Sequence, residues 1–117
     1  MSEPSGPGNV GYDTAEFLEI YGDDEELKGE IIAVFTSETP GKLERIKQAE
    51  QDENWEELAR AAHSLANTAG TMRSETMLST CRELEAAARS GEEAKARELC
   101  EVVQTGFADI LEKVRSL

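Results

Sequence analysis

The chain has 117 residues, room for one domain around a single core, and its 25 acidic against 12 basic side chains give a formal net charge of −13. A field of that sign repels phosphate backbones and anionic bilayers, so neither a nucleic-acid nor a membrane partner is expected. Cys81 and Cys100 have neither local pairing nor a second histidine for a zinc site, and no run reaches the roughly 18 apolar residues of a membrane span. No metal is therefore expected, and with no signal peptide ahead of the domain the expected compartment is the cytoplasm.

Residues 1–10 contain prolines and glycines without an apolar pattern and read as a flexible tail, leaving 11–117 as the folded domain. Asp13 with Glu16, Asp23 with Glu26, Asn54 with Glu57 and Ser90 with Glu93 each set a capping side chain three residues before a glutamate, and Ser74 marks a further start. A short helix is predicted from about Thr14 to Tyr21 with Phe17, Leu18 and Tyr21 buried, ended by Gly22. The next runs from about Asp24 to Gln51 with Leu27, Ile31, Val34, Phe35, Leu43 and Ile46 inward, and Pro40 predicts a kink or break near Glu38 and Thr39. A third carries Trp55, Leu58, Ala62, Leu65, Ala69 and Met72 as one stripe at alternating steps of three and four. A fourth, about Glu75 to Arg89, buries Leu78, Cys81, Leu84 and Ala88, with Gly91 just past its end. The fifth, about Glu92 to Ser116, buries Ala96, Cys100, Val103, Phe107, Ile110 and Val114. No segment alternates with period two, so the expected fold is all-α: an antiparallel up-and-down four-helix bundle with a short additional N-terminal helix.

The only histidine, His63, lies on the third helix. At about 100° per residue it projects roughly 130° from the centre of the apolar stripe, toward solvent. The residues read as sharing its face are Ala59, Ala66, Asn67 and Gly70, all small, with Glu56 and Arg60 toward the N-terminus. An exposed imidazole among short side chains can be approached closely by another protein. No glycine-rich phosphate loop, catalytic carboxylate pair or Ser-His-Asp arrangement accompanies it, so an ATP-dependent kinase activity is not expected.

The segment Ala62-His63-Ser64-Leu65-Ala66-Asn67-Thr68-Ala69 resembles the signature of histidine-containing phosphotransfer (HPt) domains, His-x-Leu-Lys-Gly-Ser-Ala or Ser. The likeness extends from about Asn9 to the C-terminus through Trp55-Glu56-Glu57-Leu58, Cys81-Arg82-Glu83-Leu84-Glu85 and the Phe35 to Pro40 spacing. It implies a phosphoryl carrier in a multistep relay, without autonomous kinase activity, that takes the group on His63 from an aspartate of one response-regulator receiver domain and gives it to another. The implied partners are receiver domains and a hybrid histidine kinase. The chain itself is expected to be a monomer without a cofactor, the magnesium belonging to the receiver. A neutral imidazole, whose unperturbed pKa is about 6.5, attacks an acyl phosphate without a separate base.

Two departures stand out. The family's lysine three residues after the histidine is Ala66 here, and the glycine after that is Asn67. Arg60, Asn67 and Arg73, which stands where the family often has glycine, are the candidates to replace the lost charge or to contact the phosphoryl group or receiver, along with Ala59, Ala66 and Gly70. Glu85 occupies the place of the polar side chain that orients the imidazole in the family. Two alternatives follow from the resemblance: a receiver-binding adaptor that no longer carries phosphate, and the phosphorylated domain of a chemotaxis-type or hybrid kinase.

Overall fold

The computed structural model describes residues 11–117; the expected tail over residues 1–10 lies outside them. Five helices follow in order, α1 (Thr14–Tyr21), α2 (Glu25–Gln51), α3 (Trp55–Thr71), α4 (Glu75–Arg89) and α5 (Glu93–Arg115), with no strand among the described residues. The connections at residues 52–54, 72–74 and 90–92 are too short for anything but antiparallel neighbours. The four long helices close a ring in which α3 lies between α2 and α4, and α5 between α4 and α2, while α1 leans on α2. This is the expected all-α bundle with its extra N-terminal helix.

Local chemistry sets the helix ends. Asp13, Asn54 and Ser74 cap α1, α3 and α4 as expected, but α2 is capped by Asp24, whose carboxylate accepts the Leu27 amide at 3.0 Å, rather than by Asp23. Ser90 does not cap α5: its hydroxyl turns back to the Ala86 carbonyl at 2.9 Å, and α5 starts after Glu92 without a side-chain cap. Three helices end on a left-handed residue, Glu53 (φ 53°), Arg73 (φ 62°) and Gly91 (φ 78°). The amide that follows each one reaches five residues back, Asn54 to Ala49 (2.9 Å), Ser74 to Ala69 (2.9 Å) and Glu92 to Ala87 (3.0 Å), closing a Schellman turn.

The end of α3 also explains where α1 sits. The last carbonyls of a helix have no partner within it. Here the Tyr12 hydroxyl donates to Met72 O at 2.6 Å and the Tyr21 hydroxyl to Thr71 O at 3.2 Å. Tyr12 is further tied to α5, its amide donating to Asp109 at 2.8 Å and its carbonyl accepting from Lys113 at 3.1 Å.

The core holds the large side chains expected there, among them Phe17, Phe35, Ile46, Leu58, Leu65, Leu84, Phe107 and Ile110. Three expectations need correction. Of the kink or break expected near Glu38 and Thr39, the break does not occur: α2 runs from Glu25 to Gln51 with Pro40 on its exposed side. Leu27 and Val34, read as inward, are 41% and 54% exposed. α2 is about 40 Å long and α3 about 26 Å, so the first turns of α2 outrun their neighbour and meet chiefly α1. Leu78 and Trp55 are only half-buried; the Arg97 guanidinium lies 5.2 Å from the Trp55 ring centroid, a cation–π contact.

Candidate functional site

His63 stands at the middle of α3, and its side chain is 64% exposed, as its helical position predicts. The flank of α3 turned to α4 is built from Ala59, Ala62, Ala66 and Ala69, all buried. Side chains this short let two helix backbones approach closely. This corrects the expectation that Ala59 and Ala66 lie on the open face: they are 0% and 4% exposed, beneath α4 rather than in front of a partner. An alanine satisfies either environment, so the projection alone did not decide it.

The close approach brings Glu85 of α4 to His63. Glu85 Oε1 lies 3.2 Å from His63 Nδ1, and Glu85 Oε2 is held by Arg89 through Nη2 at 3.0 Å and Nε at 3.3 Å. Partial burial of the Glu85 carboxyl works against its ionisation, but the hydrogen bonds from Arg89 and His63 outweigh it and hold the group below the usual glutamate value. An ionised carboxylate only accepts, so the proton between them belongs to Nδ1. The second ring nitrogen, Nε2, is left with the lone pair.

The other candidates separate into near and far. Asn67 is exposed and Gly70 half-buried on the same side of α3 as His63. Arg60, one turn before His63, is exposed but paired with Glu56 at 2.9 Å and Glu57 at 3.8 Å. Arg73 does not join the site. Ten residues along the chain, it lies roughly 15 Å from His63 and bonds Glu16 at 3.4 Å. Its left-handed backbone accounts for the glycine common at this place in the resembling family: the position serves the turn, not the charge. Arg73 instead lines a groove of about 880 Å³ at the α1 end of the bundle, between the starts of α1 and α4 and the middle of α5.

Arg89 was missed in the sequence; its signal was the i, i+4 spacing from Glu85. Lys42 and Arg45 of α2 were missed as well. Lys42 Nζ donates to Thr68 Oγ1 at 3.1 Å, and Arg45 pairs with Glu57, whose carboxyl is depressed chiefly by that hydrogen bond. No group of three or more His, Cys, Asp or Glu side chains among the described residues is placed to hold a metal ion, and no helix of the described residues is long and apolar enough to cross a membrane.

Fold and site together define an antiparallel helical bundle that presents one outward histidine from the middle of a helix. The family model described as "Hpt domain" matches residues 30–116, and the chain belongs to that family. The match takes in all of α3, α4 and α5 and all but the first turns of α2. No curated protein and no solved structure matches the chain. Hpt domains are phosphocarriers of histidine phosphotransfer in two-component phosphorelays and work with receiver domains of response regulators.

Proposed function

We propose that His63 carries the phosphoryl group, taking it on Nε2 from the aspartyl phosphate of one receiver domain and handing it to an aspartate of another. The observation that carries this reading is the division of labour on the ring: Nδ1 is engaged by Glu85 at 3.2 Å while the rest of a 64% exposed side chain faces outward. In the forward step the Nε2 lone pair attacks phosphorus, the N–P bond forms, and the bond from phosphorus to the aspartyl oxygen breaks to release a carboxylate. The proton stays on Nδ1, and the positive charge that develops on the ring is met by Glu85. The return step is the same exchange onto a second aspartate.

The chain supplies the nucleophile and the shape, with no cofactor of its own. Magnesium and the acidic pocket belong to the receiver, since phosphoryl transfer depends on positioning and charge neutralisation. The exposed apolar side chains Ile20, Leu27 and Val34 on α1 and α2 give the receiver a face to cover, at the end of α3 that Tyr21 closes. This reading assigns the phosphoryl oxygens to Asn67, exposed one turn after His63, and to Arg60, released from Glu56 and Glu57 as the receiver docks. The protein acts as a cytoplasmic monomer without autonomous kinase activity, with a hybrid kinase's receiver as one donor.

Mixing the protein with a phosphorylated receiver tests this. The expected result is label on the chain that is lost in acid and retained in base. His63→Gln abolishes the label while changing stability by roughly 0.5 kcal/mol or less, as for an exposed site. Receivers that bind without passing label would replace the carrier reading with that of an adaptor.

A further inference from the structure

We infer that Arg89 is a positioning residue that acts on His63 through Glu85; its consequence for transfer rests on the carrier reading above. The two carboxylate oxygens of Glu85 have separate duties. Oε1 faces His63 Nδ1 at 3.2 Å, and Oε2 takes both Arg89 Nη2 at 3.0 Å and Nε at 3.3 Å. The terminal torsion of a glutamate is broad, so a carboxylate held only by the ring turns easily and lets either oxygen, or water, meet the imidazole. A planar guanidinium forking onto one oxygen removes that freedom and fixes the other oxygen toward Nδ1. Arg89 is 54% exposed, so its role does not depend on core packing.

The arrangement has a second effect on the same ring. A lone carboxylate beside Nδ1 would set a full negative charge near the place where an anionic phosphoryl group arrives. Arg89 offsets that charge while leaving Oε1 able to accept the Nδ1 proton. His63 is thereby kept in the form whose lone pair is on Nε2, at no charge penalty to the approaching group. The remaining cations around α3 do not serve this purpose: Arg60 is on the far side of the ring from α4, paired with Glu56 and Glu57, and Arg45 is paired with Glu57.

The test is nitrogen-15 NMR of the His63 ring in the unphosphorylated full chain, at a pH where imidazole is neutral, combined with the rate of label uptake from a phosphorylated receiver. In the native chain the proton resides mainly on Nδ1. Arg89→Met lowers that fraction and slows uptake by roughly tenfold, the usual scale for loss of an outer positioning contact, and Arg89→Lys restores part of both. Thermal unfolding of Arg89→Met stays close to the native curve. In a Glu85→Gln background the same Arg89→Met change has little further effect on uptake. An unchanged tautomer in Arg89→Met, or an equal loss of rate with Glu85→Gln already present, overturns the inference. A tautomer that shifts as expected in a chain that takes no label upholds Arg89's role and strikes instead at the carrier reading.

Discussion

The two flanks of α3 are built on opposite principles. Toward α4 the surface is alanine, and the one polar contact that crosses it is the bond that His63 Nδ1 donates to Glu85. Toward α2 the rim is polar and charged: Arg45 pairs with Glu57, and Lys42 donates to Thr68 at 3.1 Å while meeting Glu38 of its own helix at 3.9 Å. The first flank fixes the orientation of a ring. The second ties up cations, so that the positive charge nearest His63 on this side is already matched by carboxylates. The difference bears on the two motif departures. Ala66 lies beneath α4, in the seam whose narrowness brings Glu85 into reach, whereas Asn67 stands open beside the imidazole.

The largest expected effect is on the pH dependence of stability, and it comes from the interior that both flanks enclose. Burial pushes the Cys81 thiol of α4 from 9.0 up to about 12, and the Cys100 thiol of α5 likewise. Tyr12 rises from 10.0 to about 12, chiefly by burial and then through Asp13 and Glu16. A group raised in the folded state contributes stability that is complete below its unfolded value and is lost as pH climbs through the folded value. The bundle should therefore lose stability steadily between the ordinary thiol range and pH 12, with Cys81→Ala showing a shallower slope in denaturant titrations across that interval. Glu57 and Glu85 are depressed and act in the reverse sense: their contribution is present above the ordinary carboxyl value and fades as pH falls below it. Stability that is flat through the thiol range would show that the interior around these groups is wetter than its packing indicates.

A substitution at the seam tests the geometric half of the comparison directly. Ala62 is fully buried on the α4 flank of α3. Ala62→Leu forces the two helices apart and should cost about 1–3 kcal/mol in equilibrium unfolding. It should also weaken the Glu85 contact and shift the His63 ring toward a mixed tautomer, the signature expected for Arg89→Met. A destabilised protein with an unchanged ring would mean that Glu85 follows His63 without help from the close packing.

What could be read from the sequence follows the size of the side chains. Leu58, Leu65, Leu84, Phe107 and Ile110 are core residues in the pattern and in the fold because a large apolar group has one good place. Ala59 and Ala66 defeated the same count, since an alanine is at ease inside or outside and the decision belongs to α4. Leu27 and Val34 followed the stripe but lie where α2 outruns α3, and the length of a neighbour cannot be read from a helix's own periodicity. The exposure of His63 came from counting alone. Glu85 came only from family resemblance, and its contact with the ring depends on how α3 and α4 are registered. Arg89 was legible only once Glu85 had been given a task.

Arg73 provides the smallest and most local test, at the end of α3 where neither flank is in play. Its position in the motif suggests a source of charge, yet its backbone is left-handed at φ 62° and its amide closes the turn onto Gly70 O at 3.1 Å. A residue with a Cβ is strained there by about 1–2 kcal/mol, and glycine is not, although glycine gives back some of that through the entropy of the unfolded chain. The pair with Glu16 is exposed and contributes roughly 0–1 kcal/mol. Arg73→Gly should therefore raise stability by about 1 kcal/mol or less, read as a small upward shift of the melting temperature, with the rate of label uptake by His63 unchanged. If Arg73 supplied charge to the phosphoryl group, the same substitution would slow uptake, and the separation between the turn at the end of α3 and the oriented ring at its middle would be lost.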